Sequence, residues 1–137
     1  RDIGYGYLFS YFRGELWRRQ KETQRLFVKY FTTKPNGIPG NDDTGTMSAW
    51  AIFNMIGFYP DCPGLPEYTL TTPVFNKVTI RLDPKWYKEK ELVIESNRTQ
   101  PGTLYINKVL LNGKKFNQYR ITHDELVHSQ RILFDLK

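Results

Sequence analysis

Apolar positions along the chain fall into two textures. Ile3, Tyr7, Leu8 and Tyr11 follow helical spacing until Arg13-Gly14 interrupts it. A second amphipathic stretch is predicted over 17–31. Its apolar stripe is Leu26, Phe27, Tyr30 and Phe31, and Arg18, Arg19, Lys21, Glu22 and Arg25 form the side expected in water. Residues 32–43, TTKPNGIPGNDD, hold two Pro and two Gly in twelve positions, a density that forbids regular structure. A third helix is predicted over 46–56, TMSAWAIFNMI. Its apolar residues lie all round the axis, so burial on most sides is expected. Gly57 is its natural stop.

From residue 68 the pattern becomes that of strands, at 68–71, 77–82, 91–96, 103–111, 115–121 and 131–136. Val78, Ile80 and Leu82 alternate with Thr79 and Arg81, the period of a half-buried strand. Asn112-Gly113 between two such runs is a two-residue hairpin signal. His123 to Leu126 reads as a short helical turn. The expected fold class is α+β: helices over 1–67, then an antiparallel sheet or sandwich over 68–137.

Composition narrows the function classes. At 137 residues, 39% apolar and 15% aromatic, the chain can build a core and is not a disordered tail. The net charge of +6 comes from basic residues spread along the chain. No base-reading basic helix, zinc-ligand spacing or glycine-rich phosphate loop accompanies it, so no nucleic-acid partner is expected. No apolar run approaches the ~20 residues of a membrane span, and no signal peptide is present. The chain starts at Arg1, which suggests a piece of a longer polypeptide. Cys62 has no second cysteine to pair with and sits between Asp61 and Pro63, where a structural role is expected. Asn97-Arg98-Thr99 matches the glycosylation-acceptor pattern, a triplet common by chance.

The candidate chemistry lies in Gly40-Asn41-Asp42-Asp43-Thr44-Gly45, ahead of the third helix. Two adjacent carboxylates in a loop backed by a rigid helix can be presented to a cleft. A helix N-terminus favours negative charge, which suits a general base that deprotonates water. An Asp here can equally be a helix cap, the commoner role, or a calcium ligand. The residues alone leave these three readings open. Trp50, inside the third helix, is expected in the core.

The run GNDDTGTMSAWAIFNMIGFYPDCPGLPEYTLTTPVFNKVTI, residues 40–80, resembles the signature of glycoside hydrolase family 92. That family shows a G-N-[DE]-D-x-G-x-M-S-A-W block, then G-F-Y-P, C-P-G and a P-x-F-x-K-x-T/V-I strand. The counterparts here are Asp43 and Gly45, Met47 to Trp50, Gly57 to Pro60, Cys62 to Gly64, and Pro73, Phe75, Lys77 and Ile80. The flanks agree more loosely. Phe12 to Trp17 departs from the usual A-G-x-P-W turn.

The resemblance implies the C-terminal piece of a calcium-dependent exo-α-mannosidase. Residues 1–67 would be the last helices of an (α/α)6 barrel and its catalytic loop, and 68–137 its β segment. It implies an inverting mechanism on terminal α-linked mannose of glycans, with α-1,2 the expected linkage. Asp43 takes the position of the general base and Asp42 a catalytic supporting one. Asn41 and Tyr59 are the expected substrate-binding or supporting residues. The general acid and the main calcium ligands belong to E-G-N and N-E-P type motifs that this chain lacks, so no metal ligand is assigned and the isolated chain is expected to be inactive. The remainder of the parent enzyme is the expected protein partner, and a periplasmic, cell-surface or secreted location follows from the family. A reading of another class makes the β half a non-catalytic carbohydrate-binding or scaffolding domain, with Trp86 and Tyr87 as its adjacent ring pair.

Overall fold

The structure is a computed structural model that describes residues 3–137. The first predicted helix is two short pieces, α1 (Tyr5–Leu8) and a 3₁₀ turn (Phe9–Tyr11), ended by extended backbone at Phe12. Gly6 lets α1 lie hard against the next helix: a Cβ there would come within 2.8 Å of Thr23 Cγ2.

Helix α2 (Leu16–Tyr30) buries a different face from the one its apolar stripe suggests. Arg19, Gln20 and Thr23 are buried, while Tyr30 is 44% exposed and Val28 75% exposed. Arg19 is therefore not on the wet side. The reason is that α2 packs on polar backbone. The Thr23 and Thr71 hydroxyls meet at 3.1 Å, Gln24 Nε2 donates to the Thr72 carbonyl at 2.9 Å, and Gln20 Oε1 accepts from the Ile106 N–H at 2.9 Å. Arg19 Nη1 donates to Ser10 Oγ at 3.2 Å, and its guanidinium lies over the Tyr119 ring. Burial lowers the Arg19 pKa to about 10, which still leaves it cationic at neutral pH.

Helix α3 (Thr46–Ile56) buries Met47, Trp50, Ala51 and Asn54. Burial on most sides was the expectation, yet Ile52 is 53% exposed, so one face is open. Trp50 is core, as expected: it is 2% exposed, stacks on Phe31 at 5.4 Å, and its indole N–H donates to the Ile3 carbonyl. Gly57 ends the helix with φ +112°. Between α2 and α3 opens an apolar cavity of about 370 Å³, lined in part by Leu26, Tyr30, Phe31, Met47 and Trp50.

The strands are β1 (Phe58–Tyr59), β2 (Glu67–Leu70), β3 (Lys77–Arg81), β4 (Glu91–Arg98), β5 (Ile106–Leu111), β6 (Lys114–Phe116), β7 (Arg120–Thr122) and β8 (Arg131–Leu136). Among the described residues they form two sheets, ordered β1-β2-β7 and β3-β4-β8-β5-β6. The predicted strand 115–121 is really β6 and β7, which belong to different sheets. Asn112 (φ +49°) and Gly113 (φ +80°) make the expected hairpin turn between β5 and β6. The sheet is not wholly antiparallel, because β4 and β8 pair in parallel from Val93↔Arg131 to Arg98↔Leu136. A parallel pair needs a long crossover, and the β5–β6 hairpin, β7 and the short helix α4 (His123–Val127) supply it. Helix α4 starts with a complete capping box between Thr122 and Glu125.

The apolar core gathers Leu92, Ile94, Ile132, Phe134 and Leu136 from the central strands, with Phe58, Leu70, Ile121 and Leu126 from the smaller sheet and α4. The described helices do not close into a barrel. None of them is long and apolar enough to cross a membrane.

Candidate functional site

The loop ahead of α3 is the one place in the described chain where non-glycine residues run consecutively in the left-handed region. Asp43 has φ +46° and Thr44 φ +63°, followed by Gly45 at +85°. For a β-branched residue such as Thr44 this is a genuine outlier. Each such residue costs on the order of 1–3 kcal/mol and persists only where its surroundings overdetermine it.

The overdetermination comes from the first turn of α3. Asp42 accepts the Ser48 N–H on Oδ1 at 2.8 Å and the Ser48 hydroxyl on Oδ2 at 2.7 Å. The Asp42 carbonyl accepts the Met47 N–H at 3.2 Å, and the Asp43 carbonyl accepts from the Thr46 N–H at 3.3 Å and the Thr46 hydroxyl at 2.7 Å. The Ala49 N–H reaches the Gly45 carbonyl at 2.8 Å. Asp42 and Asp43 thus satisfy three otherwise orphaned amides of the helix start, those of Thr46, Met47 and Ser48, and the Ala49 N–H makes the first regular helical bond. Hydrogen bonds from the Ser48 hydroxyl and N–H hold the Asp42 pKa below its ordinary value, against the opposition of burial and with a still smaller contribution from the Met47 N–H.

The two adjacent aspartates therefore do different things. Asp42 is the cap, and both its oxygens are occupied. Asp43 is exposed, and no hydrogen bond or ion pair reaches its carboxylate among the described residues. Asn41 is exposed beside it. Ser48 is the residue that sequence reasoning passed over. The only signal for it was a hydroxyl in the first turn of a helix preceded by an Asp.

Tyr59 is not brought to this loop. It follows the C-terminal end of α3, about 16 Å of helix axis away at 1.5 Å per residue. There it stacks on Tyr7 at 4.8 Å and meets Phe53 edge-on at 6.1 Å. Burial, aided by the Asp61 charge, raises its pKa. Beside it, Arg120 joins Asp61 at 3.3 Å and Glu67, with Tyr11 stacked 4.9 Å from its guanidinium. These contacts bind the helical part to the smaller sheet.

Calcium, which the resemblance implies, takes six to eight oxygens. Among the described residues no group of three or more His, Cys, Asp or Glu side chains could hold a metal ion. The described residues by themselves do not fit such a site, and no chemical step is routed through one. The ring pair required by a separate binding module is also split. Trp86 is 72% exposed, whereas the Tyr87 hydroxyl lies 3.3 Å from His123 Nε2, with Tyr68 on the other ring nitrogen at 3.0 Å.

Comparison with known proteins gives these observations a family. The glycosyl hydrolase family 92 catalytic domain matches residues 1–137. An α-mannosidase of that family from Bacteroides thetaiotaomicron superposes with a TM-score of 0.87 at 30% identity, covering 98% of this chain and 18% of that one. A second family 92 enzyme of the same organism, an inverting mannosidase, gives 0.75 at 35% identity, over 88% of this chain and 16% of its own. An uncharacterised secreted glycosidase of Arthroderma benhamiae is 32% identical over 104 residues, 76% of this chain and 13% of that protein. The chain thus spans less than a fifth of the length of each of these three relatives. Sequence and fold agree over nearly all of its residues, and the chain belongs to glycosyl hydrolase family 92.

Proposed function

We propose that this chain is part of an α-mannosidase that removes terminal α-linked mannose from glycans with inversion, and that Asp43 is its general base. The observation that carries the reading is the division of labour in the loop. Asp42 spends its carboxylate on Ser48, whereas Asp43 is exposed with its carboxylate uncommitted, on a left-handed backbone fixed to the start of α3. Inversion needs two carboxyl groups about 6.5–9.5 Å apart, with a water beside the anomeric carbon on the face opposite the leaving oxygen. Asp43 takes the proton of that water as its oxygen bonds to the anomeric carbon, and an acid elsewhere in the longer polypeptide protonates the departing oxygen.

The inverting mannosidase among the relatives supports this stereochemistry, and the α-mannosidase supports the substrate. The α-1,2 linkage belongs to the same reading. Residues 1–67 then carry the catalytic loop and 68–137 the β segment behind it. The exposed flank of α3 around Ile52 and the apolar cavity beside Trp50 are covered by the remainder of the enzyme. The acid, and the ligands of any calcium, lie in that remainder, so the isolated chain releases no mannose. The secreted relative supports an exported location, whether periplasmic, cell-surface or secreted.

The test uses the longer enzyme that carries this chain. Asp43→Ala should lower kcat by about 10²–10⁴-fold, the range of a general base, with the unfolding midpoint unchanged. Azide, a nucleophile that needs no base, should restore turnover and give the mannosyl azide of inverted configuration. Turnover of Asp43→Ala within tenfold of the unaltered enzyme would remove Asp43 from the role.

A further inference from the structure

We propose that Ser48 is a positioning residue that acts on Asp43 through Asp42; the inference rests on the assignment of Asp43 as the base. Its ground is geometric. The left-handed stretch that presents Asp43 is pinned at both ends by one hydroxyl. Ser48 Oγ lies 2.7 Å from Asp42 Oδ2 and 3.1 Å from the Gly45 carbonyl, so a single proton is shared between the residue before Asp43 and the residue after Thr44. The Ser48 N–H holds the other Asp42 oxygen at 2.8 Å. Asp43 and Thr44 thus bridge two points fastened to the same side chain. Non-glycine residues hold such conformations only when fastened in this way.

The anchor itself is rigid. Ser48 lies on the same helix as Trp50 and Asn54, two and six residues ahead of them, and these two are 2% and 1% exposed. Asn54 Nδ2 donates to the Trp50 carbonyl at 2.7 Å, and Asn54 Oδ1 accepts the Tyr7 hydroxyl at 2.7 Å. The position of Asp43 is therefore referred to the packed interior through Ser48, although Asp43 itself is exposed. A carboxylate that must meet one particular water gains from this, because misplacement of a catalytic group by about 1 Å can cost on the order of 10²-fold in rate.

A plain helix-capping role for Ser48 makes a different prediction from a positioning role, and the longer enzyme separates them. Ser48→Ala should lower kcat by about 10–100-fold while KM stays within about twofold, the pattern of a group that acts in the transition state alone. Ser48→Thr, which keeps the hydroxyl, should recover the loss to within about threefold. In the Asp43→Ala background with azide as nucleophile, Ser48→Ala should change nothing, because no base remains to be positioned. A Ser48→Ala enzyme with unaltered kcat overturns the proposal. So does a loss that Thr fails to recover, or one that persists with azide, since each makes Ser48 a structural cap. These outcomes leave the base assignment standing; that assignment fails only if Asp43→Ala itself stays active.

Discussion

The five-stranded sheet and the loop ahead of α3 meet backbone demands in opposite ways. In the sheet, β4 and β8 alternate buried and less buried residues along their length, and their ladder bonds run on both sides of each strand. Phe134 and Leu136 are fully buried there. No residue of those strands has a positive φ. In the loop, two non-glycine residues are left-handed and exposed, and a few hydrogen bonds to the first turn of α3 hold them. The sheet's conformation is what its side chains prefer, and packing adds to that preference. The loop's conformation opposes what its residues prefer, and capping must outweigh the opposition. A catalytic role would explain why such a loop is kept, because left-handed backbone at Asp43 is where functional strain collects.

The largest effect expected is on the sheet side. Phe134→Ala leaves a void among Leu92, Ile94, Ile132 and Leu136 and should destabilise by about 3–5 kcal/mol. Denaturant unfolding of the longer enzyme would read it as a lower midpoint. The comparison sharpens if kcat of the remaining folded enzyme is unchanged, since the core then contributes stability and no chemistry. A loss of kcat at full folding would break it, by linking the loop to the sheet more tightly than its contacts suggest.

The two regions also differ in how readable they are. Alternation in Val78 to Leu82, the Asn112-Gly113 turn and the Gly57 stop are local signals with local causes, and each has its counterpart in the fold. What local pattern could not carry is partner choice. Arg19 looks like a solvated helix charge until Ser10 and Tyr119 close over it. The parallel β4–β8 pairing depends on a crossover of more than thirty residues, invisible to any window of the sequence. Residues 115–121 read as one strand because nothing local says that Phe116 and Ile121 serve different sheets. At the loop, Asp42-Asp43 was legible as chemistry at a helix start. The assignment of cap to one and freedom to the other was not, since adjacent identical residues carry no periodic signal. The two Ser48 hydrogen bonds that separate them span only six residues, yet they depend on the left-handed turn between, which no periodic pattern announces.

A smaller effect tests the strain itself. Thr44→Gly removes a β-branched residue from φ +63°. Relief of about 1–2 kcal/mol is offset by about 0.5–1 kcal/mol of added chain entropy. The net expectation is an unfolding midpoint equal to or slightly above that of the unaltered enzyme. Almost any other Thr→Gly change in the chain should lower it. A clear drop would mean that Thr44 is comfortable where it is, and the contrast between the two regions would lose its energetic basis.

The smallest effect is in acid. Asp42 has its pKa held below the ordinary 3.8 by the Ser48 hydroxyl and N–H, with burial opposing and the Met47 N–H adding least. A carboxylate with a depressed folded pKa stabilises the folded loop at pH values above its unfolded pKa, and the contribution is lost as pH falls through the folded value. The loop should therefore hold from neutrality down to about pH 4 and loosen only below it. Hydrogen exchange at the Met47 and Ser48 amides, corrected for the intrinsic pH dependence, reads this directly. Asp42→Asn should remove the acid sensitivity of those two amides while leaving the exchange of β4 and β8 untouched. Loosening already at pH 5–6 would mean that a group other than Asp42 closes the loop. In that case the division of labour between the two aspartates would have to be drawn again.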